Sequence, residues 1–415
     1  MARLLSLNNY HYRRGGSDVV YFEHDALFRA RGWDTAVMAM RHPQNVPSPW
    51  SEHFVEEIEY DHAVSPWQRL KQAGKVVWSS EAVRRIDALL DRFPADVVHA
   101  HCVYHHLSPS VLHAAHRRGI PVVMTQHDLK LACPAYKMLD GQGAVCERCR
   151  GGNVSHVLAN RCIRGSRAAS AVVMVESALH RAMRVYPRSV DRLVAPSRFY
   201  VEKLVEWGWD RSRLRYVPNY VHASRFAPEY APGDYVLYFG RLAPEKGLPT
   251  LLRAAARADV SLVVAGTGPQ ERALREEAES LGVRASFVGY RSGAALHALV
   301  RGARAVVLPS EWYENAPMSV LESFAMGKPV VGARIGGIPE LIEDGRTGVV
   351  FRSGDVDDLA RALREVVDAR DATLESMGRE ARRYVETTFT EERYFREICD
   401  VYAELGVTLP QAVPA

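Results

Sequence analysis

Short β-rich runs alternate with helix-length segments along nearly the whole chain, and this rhythm leaves few folds open. Strand-like runs over residues 3–8, 35–40, 96–101 and 121–127 are separated by helical stretches such as 18–31 and 108–118. A short run at 194–196 leads into a helix from Ser197. Such alternation predicts βαβ units and hence parallel sheets flanked by helices. Pro, Ala and Gly gather near Pro218 and over residues 227–233. The rhythm then resumes, with strand-like runs at 235–240, 262–266, 286–289, 305–309 and 329–333 and helices at 269–281 and 357–369. The expected architecture is α/β: two Rossmann-like doubly wound domains, 1–220 and 234–388, joined by a linker at 221–233. An amphipathic helix at 391–405, inside a tail of residues 389–415, is expected to pack back across the domain boundary.

Charge narrows the functional classes. With 53 basic and 49 acidic side chains the net charge is +4, which gives no footprint for nucleic acid. No apolar run approaches the roughly eighteen residues that span a bilayer. The first residues turn polar too soon for a secretory signal, so a cytoplasmic protein with reduced thiols is expected. One long helical stretch at 66–93 carries Arg69, Lys71, Lys75, Arg84 and Arg85 with Trp67 and Trp78. It reads as a surface helix with its tryptophans turned inward, or as a basic helix lying on the inner membrane face.

Four loops of the second half each follow a strand-like run. Gly240-Arg-Leu-Ala-Pro-Glu-Lys-Gly247 holds Arg241 and Lys246 at a strand's carboxyl end, where two fixed cations can clamp a diphosphate. Gly266 and Gly268 form a glycine turn that lets backbone approach a nucleotide closely. Glu314-Asn-Ala-Pro-Met-Ser-Val-Leu-Glu322 runs from loop into helix, a start that offers free N–H groups to phosphate. Gly336-Gly-Ile-Pro-Glu340 places Pro339 at a helix's first position. In the first half, Gly15 and Gly16 close the first strand and open a helix. Asp355-Val-Asp357 looks like a metal-binding Asp-x-Asp, but its place before a helix favours capping.

Cys133, Cys146, Cys149 and Cys162 fall in one segment, with Cys146 and Cys149 forming a Cys-x-x-Cys pair. Four thiolates suit a structural zinc or an iron–sulfur cluster. Free thiols are the alternative. Cys102 and Cys399 stand alone and read as packing residues.

The motif set resembles the large retaining glycosyltransferases of the GT-B fold, their fourth sequence family, known as glycosyl transferases group 1. The resemblance is strongest over residues 240–348. It implies two Rossmann-like domains facing a cleft, with the C-terminal one binding a nucleotide-sugar donor and the N-terminal one a glycan or lipid-linked acceptor. It implies donor-diphosphate contacts from Arg241 and Lys246 and a contact of Glu314 with the transferred sugar. The backbone from Asn315 through Ala316 and Met318 to Ser319 would meet sugar and phosphates, and Glu322 the ribose hydroxyls. Gly15 and Gly16 match the family's N-terminal glycine loop, and His127 a histidine placed near the donor sugar. The implied activity moves a hexose-type sugar with retention, in bacterial surface polysaccharide synthesis, without a catalytic metal. The cysteine segment departs from a minimal member. Other sugar-nucleotide enzymes of the same architecture, such as an epimerase or a phosphorylase, and a non-catalytic nucleotide-sugar-binding protein are the competing readings.

Overall fold

A computed structural model describes residues 1–58 and 66–410, with side chains from 66 to 71 outside the described set. Strands β1 (Arg3–Leu7), β2 (Asp34–Met38), β3 (Val97–Ala100), β4 (Val122–Thr125), β5 (Arg192–Ala195) and β6 (Leu214–Tyr216) form one sheet in the order β2-β1-β3-β4-β5-β6. Strands β7 (Val236–Phe239), β8 (Leu262–Ala265), β9 (Ala285–Gly289), β10 (Ala305–Leu308), β11 (Val330–Ala333) and β12 (Gly348–Phe351) form the second, in the order β12-β11-β10-β7-β8-β9. Each pairing is parallel. Strands buried on both faces need unbroken apolar runs, as in β10, Ala-Val-Val-Leu.

Each sheet has its own core. Leu5, Met38, Val98 and Met124 pack in the first, and Leu237, Val264, Val307 and Val331 in the second. A third cluster joins the far end of the chain to the beginning: Tyr394, Ile398 and Tyr402 of helix Glu391–Ala403 pack on Leu4, Phe28 and Val97. That helix therefore returns to the first sheet after the second is complete.

Several elements differ from the sequence expectation. The edge strands β6 and β12 were not legible, being three and four residues long. The stretch read as one helix at 66–93 is two, Pro66–Val77 and Ser80–Arg92, because Ser79 caps the second by accepting from the Ala82 N–H at 3.1 Å. Trp67, Arg69 and Lys71 lie outside the described side chains, whereas Trp78 stays 38% exposed instead of turning inward. Helices Arg167–Ala182 and Asp371–Thr388 were also not read. Asp355 caps helix Val356–Val367 by accepting from the Asp358 N–H at 3.0 Å.

Candidate functional site

In open α/β sheets ligands bind outside the carboxyl ends of the strands, where the strand order reverses. The second sheet reverses between β7 and β10, and the loops leaving those strands carry Arg241–Lys246 and Ser310–Met318. The first sheet reverses between β1 and β3, and its loops carry Gly15, Gly16 and His101. These two edges meet. A side chain built on Gly16 would come 3.8 Å from Met318 Cγ. Asn315 donates from Nδ2 to the Gln126 carbonyl at 2.7 Å and accepts at Oδ1 from Ser197 Oγ at 2.8 Å. Gln126 is fully buried, and its side-chain amide has no partner among the described residues.

The two motif residues at the second switch point form one unit. Lys246 Nζ lies 2.6 Å from Glu314 Oε1, and Ser310 Oγ donates to the same oxygen at 2.7 Å. Lys246 also sits 5.2 Å over the Trp312 ring. Glu314 is buried, which pushes its carboxyl up, but Lys246 and Ser310 outweigh burial and hold it below the ordinary value. The site thus keeps a carboxylate beside a cation at the carboxyl edge of the second sheet.

Arg241 is held differently. Its guanidinium bonds to Glu245, which is buried and also takes Lys137 Nζ at 2.9 Å from the other domain. Glu245 and Lys137 escaped the sequence reading, since nothing local links positions 108 apart. Gly266 and Gly268 lie where a side chain has no room. A Cβ on Gly266 would come 1.8 Å from the Gly240 carbonyl oxygen, and one on Gly268 2.3 Å from that of Leu242. With no side chain in the way, the glycine turn packs closely against the Arg241 loop.

Helix Met318–Ala325 begins where Asn315 and Ala316 end the loop. The N–H groups of its first turn, Met318 and Ser319 among them, lack intrahelical partners and suit an anion. Glu322, one turn on, is half-buried and has no side-chain partner among the described residues. Burial pushes its carboxyl up to about 7. Gly336 and Gly337 close against this loop: the Gly337 N–H donates to the Glu314 carbonyl at 2.8 Å. A Cβ on Gly337 would lie 2.0 Å from the Asn315 carbonyl oxygen. Glu340 instead accepts from the Arg198 and Phe199 N–H groups at 2.8 and 2.6 Å, capping a helix of the other domain.

His127 follows β4 at the facing edge. Its Nε2 is 2.8 Å from His101 Nδ1, and burial lowers its pKa to about 4, so it is neutral near pH 7. His101 continues into a buried column with His99 and His24 that ends on Tyr394 and Tyr402. His24, His99 and His101 offer nitrogens within 4.8 Å of one another, the one such group among the described residues. They do not fit a metal. His99 is already bonded at both nitrogens, to Tyr402 at 2.6 Å and Thr125 at 2.7 Å, and its ring stacks on His101 at 24° instead of converging with it. His101 and the rest of the column were missed because no spacing marks residues that meet only across strands.

The cysteine segment folds against the same edge. Cys162 packs on the clusters that contain Cys133 and Cys149. No three of the four sulfurs lie within 4.8 Å of one another, whereas sulfurs about 3.8 Å apart surround a zinc held at ~2.3 Å. The four thiols are nonetheless neighbours: Cys149 feels the charge of Cys133, Cys146 and Cys162, Cys162 that of Cys133 and Cys146, and Cys133 that of Cys146. The segment has another contact: Glu147, between Cys146 and Cys149, accepts from Tyr313 Oη at 2.8 Å and Lys203 Nζ at 2.9 Å. Tyr313 precedes Glu314, so the insert touches the loop after β10 directly.

Comparison with known proteins agrees with this geometry. Residues 224–384 match the family described as glycosyl transferases group 1, and residues 23–220 the glycosyl transferase 4-like domain. Glycogen synthase of Mycobacterium tuberculosis is 33% identical over 239 residues, which cover 54% of this chain and 57% of that protein. The D-inositol 3-phosphate glycosyltransferase of Nocardia farcinica is 34% identical over 214 residues, covering 45% of this chain and 47% of that one. The matched stretches thus span about half the length of these curated relatives. Anabaena HepE, solved with UDP and glucose, superposes with a TM-score of 0.69 at 15% identity over 97% of this chain and 100% of that one. Sucrose-phosphate synthase of Thermosynechococcus elongatus gives 0.72 at 18% identity over 98% and 99%. With two parallel six-stranded sheets meeting edge to edge and matches along both halves, the chain belongs to the glycosyl transferases group 1 and has the GT-B fold.

Proposed function

We propose that the chain is a retaining glycosyltransferase that moves a hexose-type sugar from a nucleotide-diphosphate sugar to a glycan or lipid-linked acceptor, in bacterial surface polysaccharide synthesis. The observation that carries this is the Lys246–Glu314 pair at the second sheet's switch point, with His127 on the facing edge. A UDP-sugar is the first donor to try, because the HepE neighbour was solved with UDP-glucose.

In this reading Lys246 and Arg241 take the donor diphosphate and neutralise charge as it leaves. The N–H groups at Met318 and Ser319 add to that clamp, and Glu322 accepts from the ribose hydroxyls. Glu314 accepts from the sugar hydroxyls, and neutral His127 bonds the sugar from the other side. No side chain stands as an obvious nucleophile, so the acceptor hydroxyl attacks on the face the diphosphate leaves, and the departing phosphate takes its proton. The protein then supplies positioning and charge stabilisation more than proton transfer. Turnover without added divalent metal is expected. Structural metal binding at Cys133, Cys146, Cys149 and Cys162 is a separate proposal, supported by four thiols near enough to feel one another's charge.

The test is thermal stabilisation by a panel of UDP-, GDP- and ADP-sugars, since a ligand that binds only the folded state raises the melting temperature. One donor should stabilise the protein, and Lys246→Ala and Glu322→Ala should abolish the shift. Nucleoside diphosphate should then be released only with acceptor present, and the product's anomeric configuration should match the donor's. Donor binding without turnover across many acceptors would overturn the enzymatic reading. An inverted product would overturn retention.

A further inference from the structure

Helix Arg167–Ala182 is buried on one side through Ser170, Val173, Glu176, Ser177 and His180. Its other side should then be polar. It is not. Val172, Val175 and Leu179, with Met183 just past the helix end, follow one another at spacings of three and four and are 37%, 47%, 43% and 42% exposed. They form a continuous apolar stripe on the first domain. Monomeric soluble proteins seldom leave such a stripe bare without a partner for it.

The charges around the stripe say what kind of partner fits. Between positions 161 and 188 there are six arginines and one acid, Glu176. Glu176 is fully buried, and its carboxylate is taken by Lys130 at 2.8 Å. Nothing negative therefore reaches the surface of this stretch. Arg161, Arg167, Arg184 and Arg188 are exposed and have no acidic partner among the described residues. A second copy of the chain would set this positive rim against itself. An apolar stripe edged by unpaired arginines matches instead the boundary between acyl chains and anionic headgroups.

We propose that helix Arg167–Ala182 is the surface by which the first domain docks on an anionic lipid bilayer, with Val172, Val175, Leu179 and Met183 in the acyl boundary and the flanking arginines on the headgroups. This places the membrane contact on a different helix from the basic stretch at 66–93 that the sequence suggested. It also gives the proposed lipid-linked acceptor a surface to lie on, although the docking itself does not rest on transferase activity.

The experiment is co-sedimentation of the purified full chain with vesicles of phosphatidylglycerol and phosphatidylcholine, against vesicles of phosphatidylcholine alone. Binding is expected to the first and at least tenfold weaker to the second, and to fall as salt rises. Val175→Glu with Leu179→Glu should weaken binding at least tenfold, and Arg184→Glu with Arg188→Glu should also weaken it. Because these side chains are exposed, the melting temperature should hold, which separates lost docking from lost folding. Failure to sediment with either vesicle, or undiminished binding of the Val175→Glu/Leu179→Glu protein, would overturn the proposal. So would a dimer in sedimentation velocity that the same pair of substitutions dissolves while vesicles stay unbound. Sedimentation is read without turnover, so an inactive protein that binds vesicles would count against the proposed activity alone.

Discussion

Lys246 Nζ and Glu314 Oε1 lie 2.6 Å apart, although 68 residues separate them and their loops leave different strands. The pair bridges β7 and β10 where the strand order of the second sheet reverses. Glu314 is buried and Lys246 largely so, with side-chain exposures of 8% and 19%. Each charge thus depends on the other for compensation.

Removing one partner should therefore cost more than removing both. Lys246→Met leaves a buried carboxylate uncompensated, a loss of roughly 3–5 kcal/mol in buried pairs. Glu314→Gln leaves the ammonium beside a neutral amide and should cost less, because Lys246 reaches solvent more readily. The double variant should be more stable than the sum of the singles predicts, by about 1–3 kcal/mol of coupling. Urea unfolding of the four proteins in the cycle measures this, and simple additivity would contradict a compensating pair.

Tyr313 ties the cysteine insert to the loop after β10 through its 2.8 Å bond to Glu147. Tyr313→Phe should remove about 1 kcal/mol from the contact between the domains. The radius of gyration without donor should rise, and donor KM should increase about fivefold while kcat holds. Small-angle scattering and steady-state kinetics would show it. A fall in kcat at unchanged KM would place Tyr313 in the chemistry instead.

On the proposed reading, in which Glu322 meets the ribose, donor binding depends on pH. Burial lifts its carboxyl to about 7, so near neutrality it is only partly ionised. As a carboxylate accepting from ribose hydroxyls it should bind donor better as pH rises from 6 to 8, and Glu322→Gln should flatten that slope. The effect on stability has the opposite sign. With a folded pKa above the ordinary 4.5, the group's contribution is full below 4.5 and is lost as pH rises through about 7. Calorimetric titration of donor and melting curves across this range check both signs.

The histidine column predicts acid lability. Burial lowers His127 to about 4 and holds His24, His99 and His101 well below the ordinary 6.5. These folded values are depressed, so the unfolded chain takes up protons first. Stability is present above 6.5 and is lost as pH falls from 6.5 towards 4. The melting temperature should drop steeply over that interval, and His99→Gln should lower it at neutral pH yet reduce the slope. A flat profile from pH 7 to 4.5 would show that the column is not neutral and buried.

The architecture was legible in the sequence because its signals are local. A run such as Val122–Thr125 must be buried on both faces, and a helix-length segment follows each strand, so parallel sheets are the natural result. A loop joined directly to a strand can only lie at that strand's end, which is why Arg241, Lys246 and Glu314 could be placed at one edge without coordinates. The tertiary structure decided which groups meet. It joined Asn315 to Gln126 across 189 positions, Lys137 to Glu245 across 108 and His101 to His127 across neighbouring strands. It also turned Gly266 and Gly268 towards a neighbouring loop and left the apolar face of helix Arg167–Ala182 uncovered. Periodicity fixes the side of an element that needs burial. What covers that side depends on how two sheets are turned towards each other, and no short stretch of sequence carries that.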